Sequence, residues 1–376
     1  MKRILQIGNW PPPVCGWSMS LVGLRKKLES CGWDCQVMNL NENRKIRSSE
    51  YIDVQGARDY VSKITHFVRR GYAVHVRVNG DSKKGYVLAL TALSLARVWR
   101  RPALLTYCGG AQQPYFPAPR GSLRHALFSL LFRIPVRIYC NSEAVKAAVL
   151  TTGIGSTRVA PIPHFSAQYI EFTPASIPAG IERFCRRHDG VFFVYACFRK
   201  EYMLEFLADV IRQFRAAFPR IGFLLVGTTA RELPPLNEFL NRRQLDDSVY
   251  VTGSLAHPSF LTLMQRSLAY IRLPLMDGVS ASVLEALALG TPVFASDNSA
   301  RPPGVELFPV PGDAGHLIQL MTQALTNRDS LVTRIPQRTL EDNTARLADD
   351  IERVCLGAEY GRSMPISRMP SKRRVG

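Results

Sequence analysis

The residues best suited to chemistry lie between positions 277 and 298 of the chain. Two carboxylates, Asp277 and Glu285, stand eight residues apart there. The small residues between them include Gly278, Ser280, Ala281 and Ser282. A helix that begins at these serines presents free backbone N–H groups and a positive dipole end, which together form an anion site. Glu285, about one turn inside that helix, can hydrogen-bond a neutral polyol such as a ribose. The spacing therefore favours binding of a phosphorylated sugar.

The residues that follow predict the element that must position this group. Apolar residues recur at helical spacing over 283–288, and a serine hydroxyl just before them can cap the helix. Gly290 and Pro292 end the helix, and residues 293–295 form a short buried strand of the parallel-sheet kind. The alternative is an ordinary strand–loop–helix–strand unit whose carboxylates serve only the fold.

Short apolar runs alternate with amphipathic segments along most of the chain, which is typical of βα units and a parallel sheet. The first half has predicted strands at 4–8, 35–39, 73–78, 103–107 and 137–141, and predicted helices at 21–29, 87–98 and 142–150. The second half has predicted strands at 191–197, 222–226, 249–252, 268–271 and 293–295, and predicted helices at 201–217, 234–243, 258–266 and 313–326.

Length and composition indicate a globular protein of two or three domains. The chain has 376 residues, of which 46% are hydrophobic, and it has no apolar run long enough to span a bilayer. We predict five segments: a Rossmann-like domain at 1–170, a linker at 171–190 rich in proline and glycine, a second Rossmann-like domain at 191–337, a helix at 338–360 that packs back toward the first domain, and a basic disordered tail at 361–376.

The segment that begins at Asp277 reads Asp-Gly-x-Ser-x-Ser-x-Leu-Glu-Ala-x-Ala-x-Gly-x-Pro-Val. This string resembles the donor-site signature of retaining glycosyltransferases of family 4, also described as glycosyl transferases group 1. The resemblance implies an α/β fold of the GT-B type, with two Rossmann-like domains whose parallel sheets face each other across a cleft. It also implies that Asp277 touches the transferred sugar, although the family usually has glutamate there.

Two further places in the first half resemble the same family. The first strand leads into a proline-rich loop that ends in Cys15-Gly16, where the family usually has two glycines. Gly16 lets backbone amides approach a phosphate or sugar. The strand 103–107 leads into Cys108, where the family has a histidine that faces the donor sugar. The resemblance therefore places Cys108 in the catalytic site, with altered donor choice or reduced activity as consequences of the substitution.

The first strand of the second half is followed by Arg199 and Lys200. The family usually carries an arginine and a lysine here, a few residues apart, that clamp the donor diphosphate; in this chain they are adjacent, and the sequence leaves open which one makes the contact. The resemblance implies that no metal or other cofactor is needed, because cations and a helix start stabilise the leaving diphosphate. Consistently, we find no Asp-x-Asp pair and no His/Cys cluster with metal-ligand spacing.

Positive charge is concentrated in the first half of the chain. Residues 1–180 contain 24 Lys and Arg against 9 Asp and Glu, whereas the whole chain has a net charge of +18. No nucleic-acid module is recognisable, so we expect no nucleic-acid partner and predict an anionic membrane surface instead. Residues 122–135 are mostly apolar with interspersed basic residues. This pattern is typical either of an interfacial helix or of a core helix whose arginines reach the surface.

Together these features predict a retaining, metal-independent glycosyltransferase that uses a nucleotide-diphosphate sugar. The basic first domain would bind a hydroxyl acceptor, predicted to be a lipid-linked or cell-surface polysaccharide glycan. The eight scattered cysteines read as free thiols, and we expect a cytoplasmic protein, peripheral at the inner face of the cytoplasmic membrane. The alternatives are a non-catalytic GT-B binding protein, another GT-B enzyme such as a sugar-nucleotide epimerase, and a nucleic-acid binder.

Overall fold

The computed structural model describes residues 2–12, 16–80, 82–110, 115–163, 173–274, 280–298, 301–309, 314–336 and 342–363, the last six of these for their backbone alone. Within these ranges the strands form two six-stranded sheets, and every pairing between neighbouring strands is parallel. Helices connect the strands on both faces. The predicted architecture of two α/β, Rossmann-like domains is confirmed.

The first domain has the strand order β2-β1-β3-β4-β5-β6. Its strands are β1 (Arg3–Gly8), β2 (Asp34–Asn39), β3 (Ala73–Val78), β4 (Ala103–Tyr107), β5 (Arg137–Cys140) and β6 (Val159–Pro161). Its helices are α1 (Gly16–Ser30), α2 (Ala57–Arg69), α3 (Lys83–Val98), α4 (Leu123–Arg133) and α5 (Glu143–Leu150). The strands are nearly continuous apolar runs because helices cover both faces of the sheet.

The second domain has the strand order β12-β11-β10-β7-β8-β9. Its strands are β7 (Gly190–Tyr195), β8 (Ile221–Val226), β9 (Val249–Gly253), β10 (Tyr270–Arg272), β11 (Val293–Ser296) and β12 (Val305–Phe308). Its helices are α6 (Ala179–Arg186), α7 (Leu204–Ala217), α8 (Leu233–Arg242), α9 (His257–Arg266), α10 (Ala281–Ala288), α11 (Ala314–Thr326) and α12 (Arg328–Thr333), and α13 (Asn343–Ser363) follows them. None of the described helices is long and apolar enough to cross a bilayer.

The second half of the segment predicted as a linker, 171–190, forms a helix instead. Residues 179–186 form α6, and two of its side chains, Ile181 and Phe184, are buried in the same cluster as strands β7 and β8 of the second domain. Proline and glycine before this helix obscured its short apolar periodicity. The second domain therefore begins before β7.

The helix α13 returns to the first domain. Its apolar residues Leu347, Ile351 and Cys355 are buried in one cluster with α1 and β1. At the edge of that cluster, the indole Nε1 of Trp33 donates a hydrogen bond to Glu352 at 3.1 Å. Because α13 is continuous in the chain with the second domain, this packing is a second connection between the domains beside the segment that precedes α6.

One ion pair fastens α13 to the first sheet. The guanidinium of Arg137, at the start of β5, donates to both carboxylate oxygens of Asp350, at 2.7 and 3.2 Å. Burial of Asp350 by itself would raise the pKa of the carboxyl, but hydrogen bonds from Arg137 and Arg353 outweigh it and hold that pKa below its usual value. A depressed pKa means that the pair stabilises the folded state while the carboxyl is ionised.

Replacing Asp350 by asparagine is expected to lower the free energy of unfolding by about 2 kcal/mol at neutral pH, because Arg137 loses its partner. The contribution is present above the unfolded pKa of about 3.9 and is lost as the pH falls through the lower folded pKa. Urea unfolding should therefore show the wild type and the variant converging in acid. The exposed neighbour Asp349→Asn is the matched control, and an equal loss in that variant would contradict the assignment.

Candidate active site

The carboxyl-terminal edges of the two sheets face each other. Gly16 begins α1 just after β1 of the first sheet, and Ala281 begins α10 just after β10 of the second. A Cβ atom placed on Gly16 would lie 3.2 Å from the Cβ of Ala281. A side chain at position 16 would therefore make a tighter contact than most real Cβ atoms do, and one of the two helix starts would have to shift by a few tenths of an ångström. Two helix starts therefore meet where the domains oppose each other.

The first of these helix starts is held in place by a cation that the sequence analysis did not single out. Arg77, in β3, donates hydrogen bonds to the carbonyl of Trp17 at 3.2 Å and to the hydroxyl of Ser20 at 2.6 Å. Both acceptors belong to the first turns of α1. The guanidinium thus ties Gly16 and its neighbours to the carboxyl edge of the first sheet.

The second helix start is built from hydroxyl groups. Ser280 occupies the N-cap position of α10 with an extended backbone, but its hydroxyl makes no capping bond. That hydroxyl instead lies 3.0 Å from the hydroxyl of Ser282, which lies 2.8 Å from the phenol oxygen of Tyr270 in β10. The serine side chains therefore anchor α10 to the sheet, and the first backbone N–H groups of the helix have no intrahelical acceptors.

Glu285 is buried one turn inside α10 and retains only 6% of its exposure. Its Oε1 lies 2.9 Å from Nε2 of His257, at the start of α9. The ring of His257 is itself stacked near Phe260, with ring centroids 6.1 Å apart. A carboxylate held by one side chain keeps acceptor capacity on its second oxygen, so Glu285 is oriented and able to accept hydrogen bonds from a polyol.

A buried cation lies beside this helix start. Arg272 ends β10 and is 7% exposed. Side chains alternate along a strand, so Arg272 lies on the same face as Tyr270 and one step nearer the carboxyl edge. Its guanidinium carbon is 4.8 Å from the ring centroid of Tyr195 and 5.8 Å from that of Tyr202. The two rings hold the charge at the edge of the sheet where α10 begins.

The two adjacent cations after β7 have different environments. Arg199 donates from Nε to Glu232 at 2.7 Å, whereas Lys200 is exposed at the start of a short 3₁₀ turn. Burial alone would lower the pKa of Arg199, but the hydrogen bond and negative charge of Glu232 raise it above its ordinary value. Glu232 also accepts from the backbone N–H and hydroxyl of Thr229. Arg199 thus fastens its loop to α8.

Cys108 lies on the opposing edge, directly after β4, and is buried. Its backbone N–H donates to Val78 at 2.7 Å, and its carbonyl accepts from the amide of Asn141 at 3.5 Å. Its sulfur lies 3.9 Å from the carbonyl of Thr106. The residue therefore joins the ends of three neighbouring strands at the carboxyl edge of the first sheet.

The predicted site residues divide into three groups. Gly16 and Ala281 meet across the two domains, and Ser280, Ser282 and Glu285 belong to the same helix start. Arg199, Lys200 and Cys108 lie at the carboxyl edges of the two sheets, as described above. Two predicted residues, Asp277 and Gly278, lie outside the described residues.

Besides Arg77, two more side chains at the site were not predicted from the sequence. Arg272 had a signal, since it is a lone cation within an otherwise apolar strand just before the predicted donor loop. His257 had none, because a histidine at a helix start is an ordinary sequence feature. Another histidine, His75 in β3, is fully buried in the sheet of the first domain, with Nε2 2.6 Å from the hydroxyl of Thr106.

The site can hold an anionic, hydroxyl-bearing ligand. Helix N–H groups and Arg272 supply positive charge, and Glu285 supplies an acceptor. Across the described ranges, no group of three or more His, Cys, Asp or Glu side chains is arranged to bind a metal ion.

Comparison with known proteins agrees with this geometry. Residues 189–327 match a family model described as glycosyl transferases group 1, which spans the second domain from β7 through α11 and includes α10. No curated protein matched the sequence of the chain. The match supports the predicted resemblance of this segment to glycosyl transferases group 1.

Solved structures of similar fold cover nearly the whole chain. Anabaena Alr3699/HepE, determined with UDP and glucose, has a TM-score of 0.65 and 16% identity over 97% of this chain and all of that chain. Sucrose-phosphate synthase from Thermosynechococcus elongatus has a TM-score of 0.66 and 16% identity, covering 96% and 99%. A UDP-N-acetylglucosamine 2-epimerase has a TM-score of 0.63 and 13% identity, covering 98% and 99%. At these identities the likeness shows the fold, and the predicted GT-B fold class is confirmed.

The close approach of Gly16 and Ala281 makes a testable prediction. Gly16→Val is expected to weaken binding of an anionic, hydroxyl-bearing ligand at the start of α10 roughly tenfold, because overpacking at this contact costs about 1–3 kcal/mol. The second substitution Ala281→Gly should restore binding in the Gly16→Val background. Isothermal titration calorimetry measures both effects.

The matched control for this contact is Gly56→Val. A Cβ atom at Gly56 would meet nothing within 4 Å, and its φ of −174° suits any residue. Equal weakening by Gly56→Val, or no rescue by Ala281→Gly, would show that the Gly16–Ala281 contact does not govern binding.

Proposed function

We propose that this protein is a retaining, metal-independent glycosyltransferase that moves a sugar from a nucleotide-diphosphate sugar to a hydroxyl acceptor. The observation that carries the proposal is the start of α10, where the first N–H groups lack intrahelical acceptors and where a buried oriented carboxylate and a buried cation lie nearby, in the segment that matches the family model. Solved proteins of this fold were determined with UDP and with UDP-glucose.

The donor is assigned mainly to the second domain. Glu285 accepts hydrogen bonds from the ribose hydroxyls, while His257 holds the carboxylate in position. The N–H groups around Ser280–Ser282 bind the diphosphate. Arg272 supplies the buried positive charge, and Lys200 adds a second cation, because Arg199 is already engaged with Glu232. Asp277 and Gly278, which precede α10 in the sequence, contact the transferred sugar, and Gly16 and Cys108 approach it from the first domain.

In the proposed reaction the bond between the anomeric carbon and the diphosphate oxygen breaks. The acceptor oxygen bonds to the same carbon on the same face, and its proton passes to an oxygen of the leaving diphosphate. The dianionic character that develops on the leaving group is stabilised by Arg272 and the start of α10. Approach of the two domains excludes water, which would otherwise hydrolyse the donor.

The acceptor is assigned to the basic first domain, and we propose a lipid-linked or cell-surface polysaccharide glycan at the inner face of the cytoplasmic membrane. Residues 1–180 carry the charge excess of 24 cations over 9 carboxylates. Anionic carriers of sugars fit such a surface, and a membrane-held acceptor concentrates substrate near the cleft.

A thermal-shift panel of UDP-, GDP- and ADP-sugars tests donor binding, because a ligand that binds only the folded state raises its stability. One class of nucleotide sugar is expected to raise the melting temperature, and its turnover with a glycan acceptor is expected to be unchanged by EDTA. NMR spectroscopy should show an anomeric configuration in the product equal to that of the donor. Inversion or loss of turnover in EDTA would overturn the corresponding part of the proposal.

The second candidate is a sugar-nucleotide epimerase, which the fold likeness to a UDP-N-acetylglucosamine 2-epimerase favours. An epimerase converts its substrate without an acceptor. Conversion of a UDP-sugar into its epimer in the absence of any glycan would select this function over the transferase. Binding of a nucleotide sugar without either reaction would instead assign the chain to the non-catalytic GT-B proteins.

A further inference from the structure

The outer surface of α4 carries an apolar stripe that the fold leaves uncovered. Leu123, Leu127 and Leu130 follow helical spacing on one side, and they are 76%, 38% and 49% exposed. Phe128, Leu131 and Phe132 lie on the other side and are buried in the first-domain core. The helix therefore has one face in the core, as the core-helix interpretation predicts, and a second apolar face toward solvent. We call the three leucines the leucine face.

The leucine face lies within a region of one charge. Residues 82–142 contain nine Lys and Arg and no Asp or Glu. On α4 itself, Arg124 and Arg133 are exposed beside the leucines. The ion pairs formed by described carboxylates reach Arg137 in this region but not Arg97, Arg100 or Arg133. The charges of Arg97, Arg100 and Arg133 are therefore available to an anionic partner.

A cleft of about 360 Å³ continues this surface at the amino edge of the first sheet. It is lined by Arg97, Arg100 and Arg101, at the end of α3, together with Ile134 and Val136, which follow α4. The neighbouring Val98 and Trp99 are exposed. The cleft combines three guanidinium groups with apolar walls, which suits a phosphate headgroup above an acyl chain. We call it the arginine cleft.

We propose that the leucine face and the arginine cleft together dock this protein on an anionic lipid bilayer. A leucine stripe beside arginines is the pattern of a helix that lies in a membrane interface, where apolar burial and headgroup attraction add. Nucleic acid would use the arginines but leave the leucines exposed, since it offers no apolar layer of comparable depth. The observations therefore favour lipid.

The orientation of α4 connects the docking surface with the cleft between the domains. The chain leaves β4 at the carboxyl edge of the sheet and enters β5 at the amino edge, so α4 starts on the carboxyl side and returns. Leu123 thus lies toward the edge where Gly16 meets the second domain, and Arg133 lies away from it. A bilayer along α4 extends from the arginine cleft toward the rim of the inter-domain cleft.

Sedimentation with vesicles tests the proposal without any nucleotide, so that its outcome is independent of the proposed transferase. The full chain is mixed with vesicles of phosphatidylcholine alone or of equal parts phosphatidylcholine and phosphatidylglycerol, at low and physiological salt. The wild type is expected to bind the anionic vesicles, more tightly at low salt. Indifference to phosphatidylglycerol would overturn the proposal.

Two variants separate the parts of the surface. Arg97→Glu with Arg100→Glu is expected to weaken partitioning about tenfold or more, because each cation near an anionic bilayer contributes about 1 kcal/mol. The triple variant Leu123→Gln, Leu127→Gln, Leu130→Gln is expected to lose roughly tenfold through lost apolar burial. Wild-type binding by the triple variant would remove the leucine face from the proposal.

The controls carry the same chemical changes elsewhere. Arg183→Glu with Arg187→Glu reverses two exposed charges on the second domain, and Ile46→Gln with Val61→Gln removes exposed apolar side chains away from α4. Both controls should bind like the wild type, and circular dichroism confirms that all variants fold. Equal losses in the controls would refute the docking surface. Tighter binding to a single-stranded RNA than to vesicles, abolished by the same arginine changes, would assign the surface to nucleic acid.

Discussion

Glu285→Ala is expected to reduce kcat/KM for the nucleotide sugar by roughly two to four orders of magnitude, because two charge-assisted hydrogen bonds to ribose contribute about 1.5–3 kcal/mol each. The carboxylate is buried and already oriented by His257 at 2.9 Å, so little ordering is needed when the donor binds. The loss should appear in donor affinity measured by calorimetry as well as in turnover. Glu285→Gln, which keeps the shape and one acceptor, is expected to lose about tenfold.

The matched control is Glu238→Ala, which removes an exposed glutamate from α8 of the same domain. Its kinetics should equal those of the wild type. His257→Asn keeps a polar partner for the carboxylate but changes its orientation, so we expect a smaller loss that falls on donor affinity. Wild-type turnover in Glu285→Ala would refute the assignment of this residue to the donor.

Arg272→Met is expected to lower kcat/KM by about two to three orders of magnitude, since a preorganised charge at a leaving group contributes roughly 3–4 kcal/mol in a water-excluded site. The stability of the ligand-free protein should change less, because the contacts of the guanidinium with the rings of Tyr195 and Tyr202 contribute about 0.5–2 kcal/mol. The substitution is thus expected to reduce activity much more than stability. The two effects are measured by steady-state kinetics and by thermal unfolding of the ligand-free protein.

Arg328→Met is the matched control because Arg328 stands near the opposite end of the same strand. It donates to the carbonyl of Leu268 at 3.1 Å, just before β10 begins. The same chemical change there should spare turnover. Arg272→Lys keeps the charge but not the planar contact with Tyr195 and Tyr202, so we expect an intermediate loss. Equal activity of Arg272→Met and the wild type would exclude this cation from diphosphate binding.

Local chemistry in the sequence determined the elements and their alternation. The predicted strands at 73–78 and 103–107 match β3 and β4 residue for residue, because a parallel strand covered on both faces must be an apolar run. The predicted start of α10 lies within one residue of the observed one, since small polar residues, then helical periodicity, then Gly290 and Pro292 are local signals. The helices α2, α6 and α12 and the strand β12 were missed. Three of these elements are short and bury one or two side chains, whereas α2 buries Tyr60, Ile64 and Val68 at helical spacing, a signal that was overlooked.

The tertiary structure decided which side chains meet. Glu285 and His257 come from different helices, Arg272 contacts the rings of Tyr195 at the end of β7 and of Tyr202 after it, and Gly16 meets Ala281 from the other domain. Parallel strands bring their carboxyl ends to one edge whatever their distance along the chain, but their order and the rotation of each side chain depend on packing of the whole sheet. Sequence periodicity therefore placed α10 at an edge of the sheet, and only the folded chain showed Arg272 and His257 beside it.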